Sequence, residues 1–281
     1  MGVFHDLSGS CKKMPAKLAS DGKVEYQIAL DEHSFALNDC IGKTLKITFP
    51  GAIHCIACGK KTKKSFSQGH CFRCMKVLPQ CDQCIMSPER CHYFAGTCRD
   101  AEWGERNCMT DHIVYLANTT AAKVGITRAS QIPTRWIDQG AEQALPIMRV
   151  ATRQQAGFVE DALREHIADK TNWRNMLKNK AEPLDLESLR DQLFEKCAHE
   201  LAELEDRFGA DCLERLSNST VVTLDFPVAE YPKKITSFNL DKIPEAEGVL
   251  KGVKGQYLIF DTGVINLRKY TGYNLNIQVL A

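Results

Sequence analysis

Nine cysteines crowded between Cys55 and Cys108, out of thirteen in the whole chain, constrain this sequence more than any other feature. Cys55-Ile56-Ala57-Cys58 and Cys71-Phe72-Arg73-Cys74 are two CxxC pairs with twelve residues between them. Two intervening residues let a tight knuckle turn aim both sulfurs at one ion, and two knuckles supply the four thiolates of a closed tetrahedral zinc site. Apolar burial alone gives no reason for paired spacing, and exposed free thiols oxidise. Four protein ligands leave no position for water, so this ion is expected to be structural.

Downstream stand Cys81, Cys84, Cys91, Cys98, Cys108 and His112, with His92 as a spare donor. That exceeds what one further tetrahedral ion needs, and a second zinc ion is expected. Spacing leaves its four ligands open, and an iron–sulfur cluster on Cys81, Cys84, Cys91 and Cys98 stands as the alternative. Cys108 and His112 have the CxxxH separation common in zinc modules; His112 reads equally as a ligand or as a strand-edge histidine.

With 281 residues, 44% of them hydrophobic and 25% charged, the chain has room for about two globular domains. No N-terminal run resembles a signal peptide, and no stretch approaches the roughly 20 apolar residues of a membrane span. A cytoplasmic location without membrane contact is expected, where cysteines serve metal sites more often than disulfides. The formal net charge of +1 excludes a globally basic or acidic chain. It hides opposite local fields: Lys60, Lys61, Lys63, Lys64, Arg73 and Lys76 with no carboxylate among them, and an acid-rich stretch from Glu182 to Glu214 that reads as a solvated face.

The hydrophobic pattern predicts an α+β protein in five segments. Residues 1–54 are β-rich, with Val24, Tyr26 and Ile28 and then Leu45, Ile47 and Phe49 alternating with polar or small neighbours. Residues 55–112 are the zinc-binding module, inserted ahead of an α/β domain over 113–180. In that domain two short runs, 113–117 and 123–127, predict a hairpin with a five-residue loop; Pro133 opens a helix carrying Arg135, and a second helix spans 156–168. Over 181–218, Leu186, Leu189, Leu193, Cys197, Leu201, Leu204 and Phe208 recur at spacings of three and four, which predicts one long amphipathic helix capped by Asp185. Residues 219–281 return to strands, and the two β-rich ends either pair into one barrel-like unit or form separate sheets.

Ile113-Val114-Tyr115, Lys123-Val124-Gly125 and Arg135 together resemble the two-strand signature of the GIY-YIG nuclease superfamily over about residues 112–175. The resemblance implies an active site of Tyr115, Lys123, Arg135 and Glu160 around one magnesium or manganese ion, supported by Asn172. Glu160 would hold the metal, Arg135 would grip phosphate oxygens in its planar fork, and Tyr115 or a neutral Lys123 would handle the proton. Ile113 replaces the first glycine of the signature, and Lys123 replaces the second-strand tyrosine. Gly125 suits close approach of the backbone to phosphate. The whole chain is also similar to an uncharacterised bacterial and archaeal family with a cysteine-rich segment, this hairpin and a C-terminal Lys-Gly-Gln-Tyr motif, here Lys254-Gly255-Gln256-Tyr257, in which Lys251 and Lys254 either meet phosphates or flank a glycine-rich strand bend.

These features predict a zinc-containing protein that binds RNA or DNA, with a GIY-YIG-like domain cleaving phosphodiesters. Lys60 to Lys76, interleaved with Phe66 and Phe72, mixes phosphate contacts with stacking surfaces as single strands favour. Two alternatives stand beside it: a nucleic-acid-binding module whose nuclease site has decayed, and a cysteine-based redox sensor.

Overall fold

The computed structural model describes residues 3–280, which form three antiparallel sheets and seven α-helices. The largest sheet joins both ends of the chain. Its strands are β1 (Val3–Ser10), β5 (Thr44–Thr48), β11 (Glu245–Lys254), β12 (Tyr257–Phe260), β13 (Val264–Asn266) and β14 (Asn274–Leu280), in the order β1-β14-β5-β11-β12-β13. Ile47 lies between Ile277 and Ala246 in register, and all three are fully buried. Alternation places Leu45, Ile47, Leu275, Ile277 and Val279 in one apolar core with Tyr26, Ile28 and Leu30 of β3 (Val24–Leu30). Strand β3 pairs with β2 (Ala16–Leu18) and β4 (His33–Ala36) in a small sheet of its own.

The third sheet is built on β6 (His112–Asn118), flanked by β7 (Ala122–Arg128) and β8 (Gln143–Val150); β9 (Glu214–Arg215) and β10 (Val222–Thr223) extend it along β8. All seven residues of β6 are buried because its two faces serve two cores. Ile113, Tyr115 and Ala117 join the core of the largest sheet, whereas Val114 and Leu116 pack beneath α4 (Arg153–Leu163), α6 (Leu186–Lys196) and α7 (Ala198–Phe208). The hairpin is tighter than the sequence predicts: Asn118 pairs with Ala122, so three residues form the loop.

The long amphipathic helix is two helices, α6 and α7, broken at Cys197 (φ −101°, ψ 18°). Leu186, Leu193, Cys197 and Leu201 all remain buried, so the apolar stripe runs through a break that periodicity cannot register. Helix α4 begins three residues ahead of the predicted start, where Thr152 and Gln155 form a reciprocal capping box, and ends at Leu163. The helix carrying Arg135 is the short α3 (Thr134–Asp138), with Pro133 as its cap.

The cysteine segment holds only short helices, α1 (Phe72–Val77) and α2 (Ala101–Asn107), with 3-10 turns between them. Helix α5 (Trp173–Met176) completes the set. No helix among the described residues is long and apolar enough to cross a membrane.

Candidate metal centre and active site

The first two cysteine pairs converge as their spacing predicts. The sulfurs of Cys55, Cys58, Cys71 and Cys74 all lie within 4.8 Å of one another, and Cys58 and Cys71 are 3.9 Å apart. A tetrahedral zinc ion with Zn–S bonds of about 2.3 Å requires sulfurs about 3.8 Å apart, so this donor set fits one ion. The second knuckle leads into α1, whose N-cap sulfur, Cys71 Sγ, accepts from the Cys74 amide at 3.5 Å. Burial opposes ionisation of Cys55, but the amides of Cys71, Cys58 and Ala57 outweigh it and draw that thiol down to about 6, favouring the thiolate a metal takes.

The second site is assembled by the hairpin sheet and two helices. Tyr115 on β6 faces Gly125 on β7, and a Cβ built on Gly125 would lie 2.7 Å from the Tyr115 hydroxyl. Gly125 therefore makes room for the phenol, which corrects its expected part in backbone approach to phosphate. The Gln139 carboxamide donates to that hydroxyl, and the Arg135 guanidinium lies beside it; burial still raises the Tyr115 pKa. Tyr115 is fully buried, whereas Arg135 is exposed.

Lys123 follows two positions behind on the same face of β7 and is buried. Burial draws its ammonium down to about 8, helped by the like charge of Arg135 and opposed by Glu160 and Asp169. Glu160 on α4 moves the other way, up to about 7, through burial and then the neighbouring Asp169 carboxylate, against the pull of Lys123, Arg153 and Arg135. An acid and a base are thus displaced towards neutrality in one cluster.

Two members of this cluster escaped the sequence reading. Asp169 lies beyond the end of α4 and reaches the site because Val124 donates its amide to Ala168 O at 2.8 Å; no periodicity signals that pairing. Arg153 sits seven residues before Glu160, two helical turns along one face, so the spacing was there to be read. Asn172 is not brought to the cluster: it is exposed, and its side chain caps α5 by accepting from the Asn175 amide at 3.2 Å.

Other predicted residues are placed differently. Lys254 is wholly buried, ion-paired with Glu142 and donating to Asn179 O at 3.4 Å, so it cannot serve as an open phosphate contact. Gln256 accepts from the Met14 amide and donates to Asp138 Oδ1, both within 3.1 Å, and Tyr257 stacks on Trp173. The Lys-Gly-Gln-Tyr turn is thus a clasp between the largest sheet and the hairpin sheet's surroundings, and Gly255 (φ +62°) lets it close against Asp138. Lys251 pairs with Glu230 at 3.1 Å. By contrast, Lys60, Lys61, Lys63, Lys64, Arg73 and Lys76 are all exposed; Phe66 and Phe72 meet edge-on, and Lys76 stands 4.8 Å above the Phe72 ring. His112 is buried, with its Nδ1 2.7 Å from Thr110 O and its Nε2 without a hydrogen-bond partner, and it does not line the cavity shared by the downstream cysteines.

The match that places this chain among known sequences spans most of it, covering both CxxC pairs, the hairpin, α4 and the clasp: residues 42–275 fit the family described as protein of unknown function (DUF2797). The chain belongs to the DUF2797 family. No curated protein and no solved structure matches it. Within the DUF2797 match lie every cysteine of the first metal site and every titratable residue of the Tyr115 to Asp169 cluster.

Proposed function

We propose that this protein is a metal-dependent endonuclease acting on structured RNA or DNA, with a GIY-YIG-like active site at Tyr115, Lys123, Arg135 and Glu160 and a zinc-held arm that grips the nucleic acid. The observation that carries this reading is the meeting of those four side chains, from two strands and two helices, with Glu160 raised to about 7 and Lys123 lowered to about 8. Proton transfer near neutral pH calls for an acid and a base displaced towards neutrality, and this cluster holds both.

Each residue has a task suited to its chemistry. Arg135, exposed near the start of α3, binds phosphate oxygens through its fork and meets the charge that grows in the transition state. Tyr115 is too deeply buried to meet a substrate and instead holds Arg135 and Gln139 in place. Lys123, largely neutral above about pH 8, accepts the proton of the attacking water. Glu160 and Asp169 offer hard oxygen donors whose mutual repulsion a magnesium or manganese ion would relieve. That ion, when bound, would neutralise charge on the scissile phosphate.

The exposed lysines of the first knuckle, with Phe66 and Phe72 among them, supply phosphate contacts and ring faces for the strand leading to the site. The test is cleavage of a labelled pool of RNA and DNA oligonucleotides with and without magnesium. The reading expects magnesium-dependent products that vanish with Glu160→Gln and with Arg135→Ala. Salt-dependent binding with no product under any condition would replace it with the non-catalytic module.

A further inference from the structure

Residues 54–112 contribute nothing to the three apolar cores among the described residues, and Met86 and Phe94 stand largely exposed within that segment. A stretch this long with no hydrophobic core needs cross-links to hold a shape. The first zinc site joins only its beginning, from Cys55 to Cys74. From Pro79 to Cys91 the chain forms only 3-10 turns, and α2 follows after an irregular loop.

The remaining cysteines are divided by the fold. Cys84, Cys91, Cys98 and Cys108 line one small cavity, with Asp82 and His92 at the same wall, and Cys81 is not part of it. The four come from separate places: a 3-10 turn, the end of the next turn, the loop after it and the C-cap of α2. Helix α2 approaches closely at Gly104, where a Cβ would lie 2.9 Å from the Tyr93 ring and 3.4 Å from Cys98 Sγ.

Of the donors at this wall, Asp82, Cys84 and His92 are the ones that lie within 4.8 Å of one another; the four sulfurs are spread more widely around the cavity. Asp82, however, already accepts from Arg99 Nε at 2.7 Å and from the Gln83 amide at 2.6 Å, and His92 Nδ1 meets Thr97 Oγ1 at 2.8 Å. Both Asp82 oxygens are engaged and His92 Nε2 faces Asp82 Oδ2 at 3.5 Å, whereas the four thiols are the soft donors that the cavity offers a soft cation.

From this shared lining we infer a second metal centre, a single zinc ion held by Cys84, Cys91, Cys98 and Cys108, each thiol giving up its proton as the ion draws the four sulfurs in from the wider spacing they have around the cavity. Asp82 and His92 stand outside the ligand set. The centre is fastened to α4 on one side. Arg153 donates its side chain to Ile85 O at 2.8 Å and its amide to Cys108 O at 2.8 Å, and Gln154 donates to Cys91 O at 2.9 Å. A Cβ at Gly157 would sit 2.6 Å from the Glu89 amide, so helix and loop are in direct contact. Two turns along that helix lies Glu160. On the endonuclease reading, which this second part requires, the centre is a positioning device for the metal-holding carboxylate.

Elemental analysis of the purified full chain tests the centre without reference to activity. About two equivalents of zinc are expected in the wild type, about one in Cys91→Ser/Cys98→Ser, about one in Cys58→Ser/Cys74→Ser, and about two in His92→Ala. Cobalt substitution of the unaltered chain, with thiolate-to-cobalt absorption corresponding to two four-sulfur sites, covers the case in which a variant fails to fold. One equivalent in the wild type, iron with acid-labile sulfide, or loss of an ion in His92→Ala would overturn the assignment. For the positioning role, Cys91→Ser/Cys98→Ser should lower cleavage at least about tenfold with the first ion retained. Unchanged cleavage would remove that role, and a wild type that cleaves nothing would strike the endonuclease reading while the zinc count still decides the centre.

Discussion

Replacing Glu160 by Gln should make the protein more stable in mildly alkaline solution. The fold favours the protonated carboxyl, because burial and Asp169 raise Glu160 from its ordinary 4.5 to about 7. This contribution is complete below about 4.5 and is lost as pH rises through about 7. At about 1.4 kcal/mol per pH unit the displacement bounds the loss near 3 kcal/mol. Part of that is offset, since the ionised carboxylate also supports the charge on Lys123, so a difference of about 1–2 kcal/mol at pH 8 is the working expectation. Gln keeps the shape and hydrogen-bonding capacity but not the charge. Urea unfolding of wild type and Glu160→Gln at about pH 5, 6.5 and 8, without added divalent ions, measures it. The wild type should weaken across this range more than the variant, with near equality at the acid end. Parallel profiles, or a variant less stable at pH 8, would refute the claim that this carboxyl is held against ionisation.

Other perturbations probe other parts. Gly125→Ala puts a methyl 2.7 Å from the Tyr115 hydroxyl; urea unfolding should show a loss of about 1–3 kcal/mol from overcrowding, and the Tyr115–Gln139 contact should break. Lys254→Ala leaves Glu142 buried and unpaired and should cost about 3–5 kcal/mol in the same assay, whereas Lys254→Met with Glu142→Gln should recover part of it. Replacing Lys60, Lys61, Lys63 and Lys64 by Ala should weaken oligonucleotide binding and reduce its logarithmic salt dependence by up to about 3, read by fluorescence anisotropy across a salt series.

What the sequence disclosed followed the range of the interactions involved. The first metal site was legible because a knuckle is local: two residues between cysteines determine where both sulfurs point. Tyr115, Lys123 and Arg135 were singled out by a short motif, and the fold sets them in one electrostatic cluster with Glu160. Asp169 was missed because a backbone pairing between Lys123 and Ala168, across the sheet edge, delivers it. Lys254 was misread because residue type reports charge and not burial; its partner Glu142 is 112 positions away. The break at Cys197 escaped because periodicity records faces, and both halves present the same face to the core. The cavity shared by Cys84, Cys91, Cys98 and Cys108 depends on turns whose spacing has no fixed rule.

The rate of phosphodiester cleavage as a function of pH tests the central claim most directly. With magnesium and a labelled oligonucleotide under single-turnover conditions, the account predicts a rate that climbs through about pH 7 to 8 as Glu160 and then Lys123 lose protons, and no product from Glu160→Gln at any pH. A chain that cuts nothing with its metals in place, or cutting that survives Glu160→Gln, would contradict it.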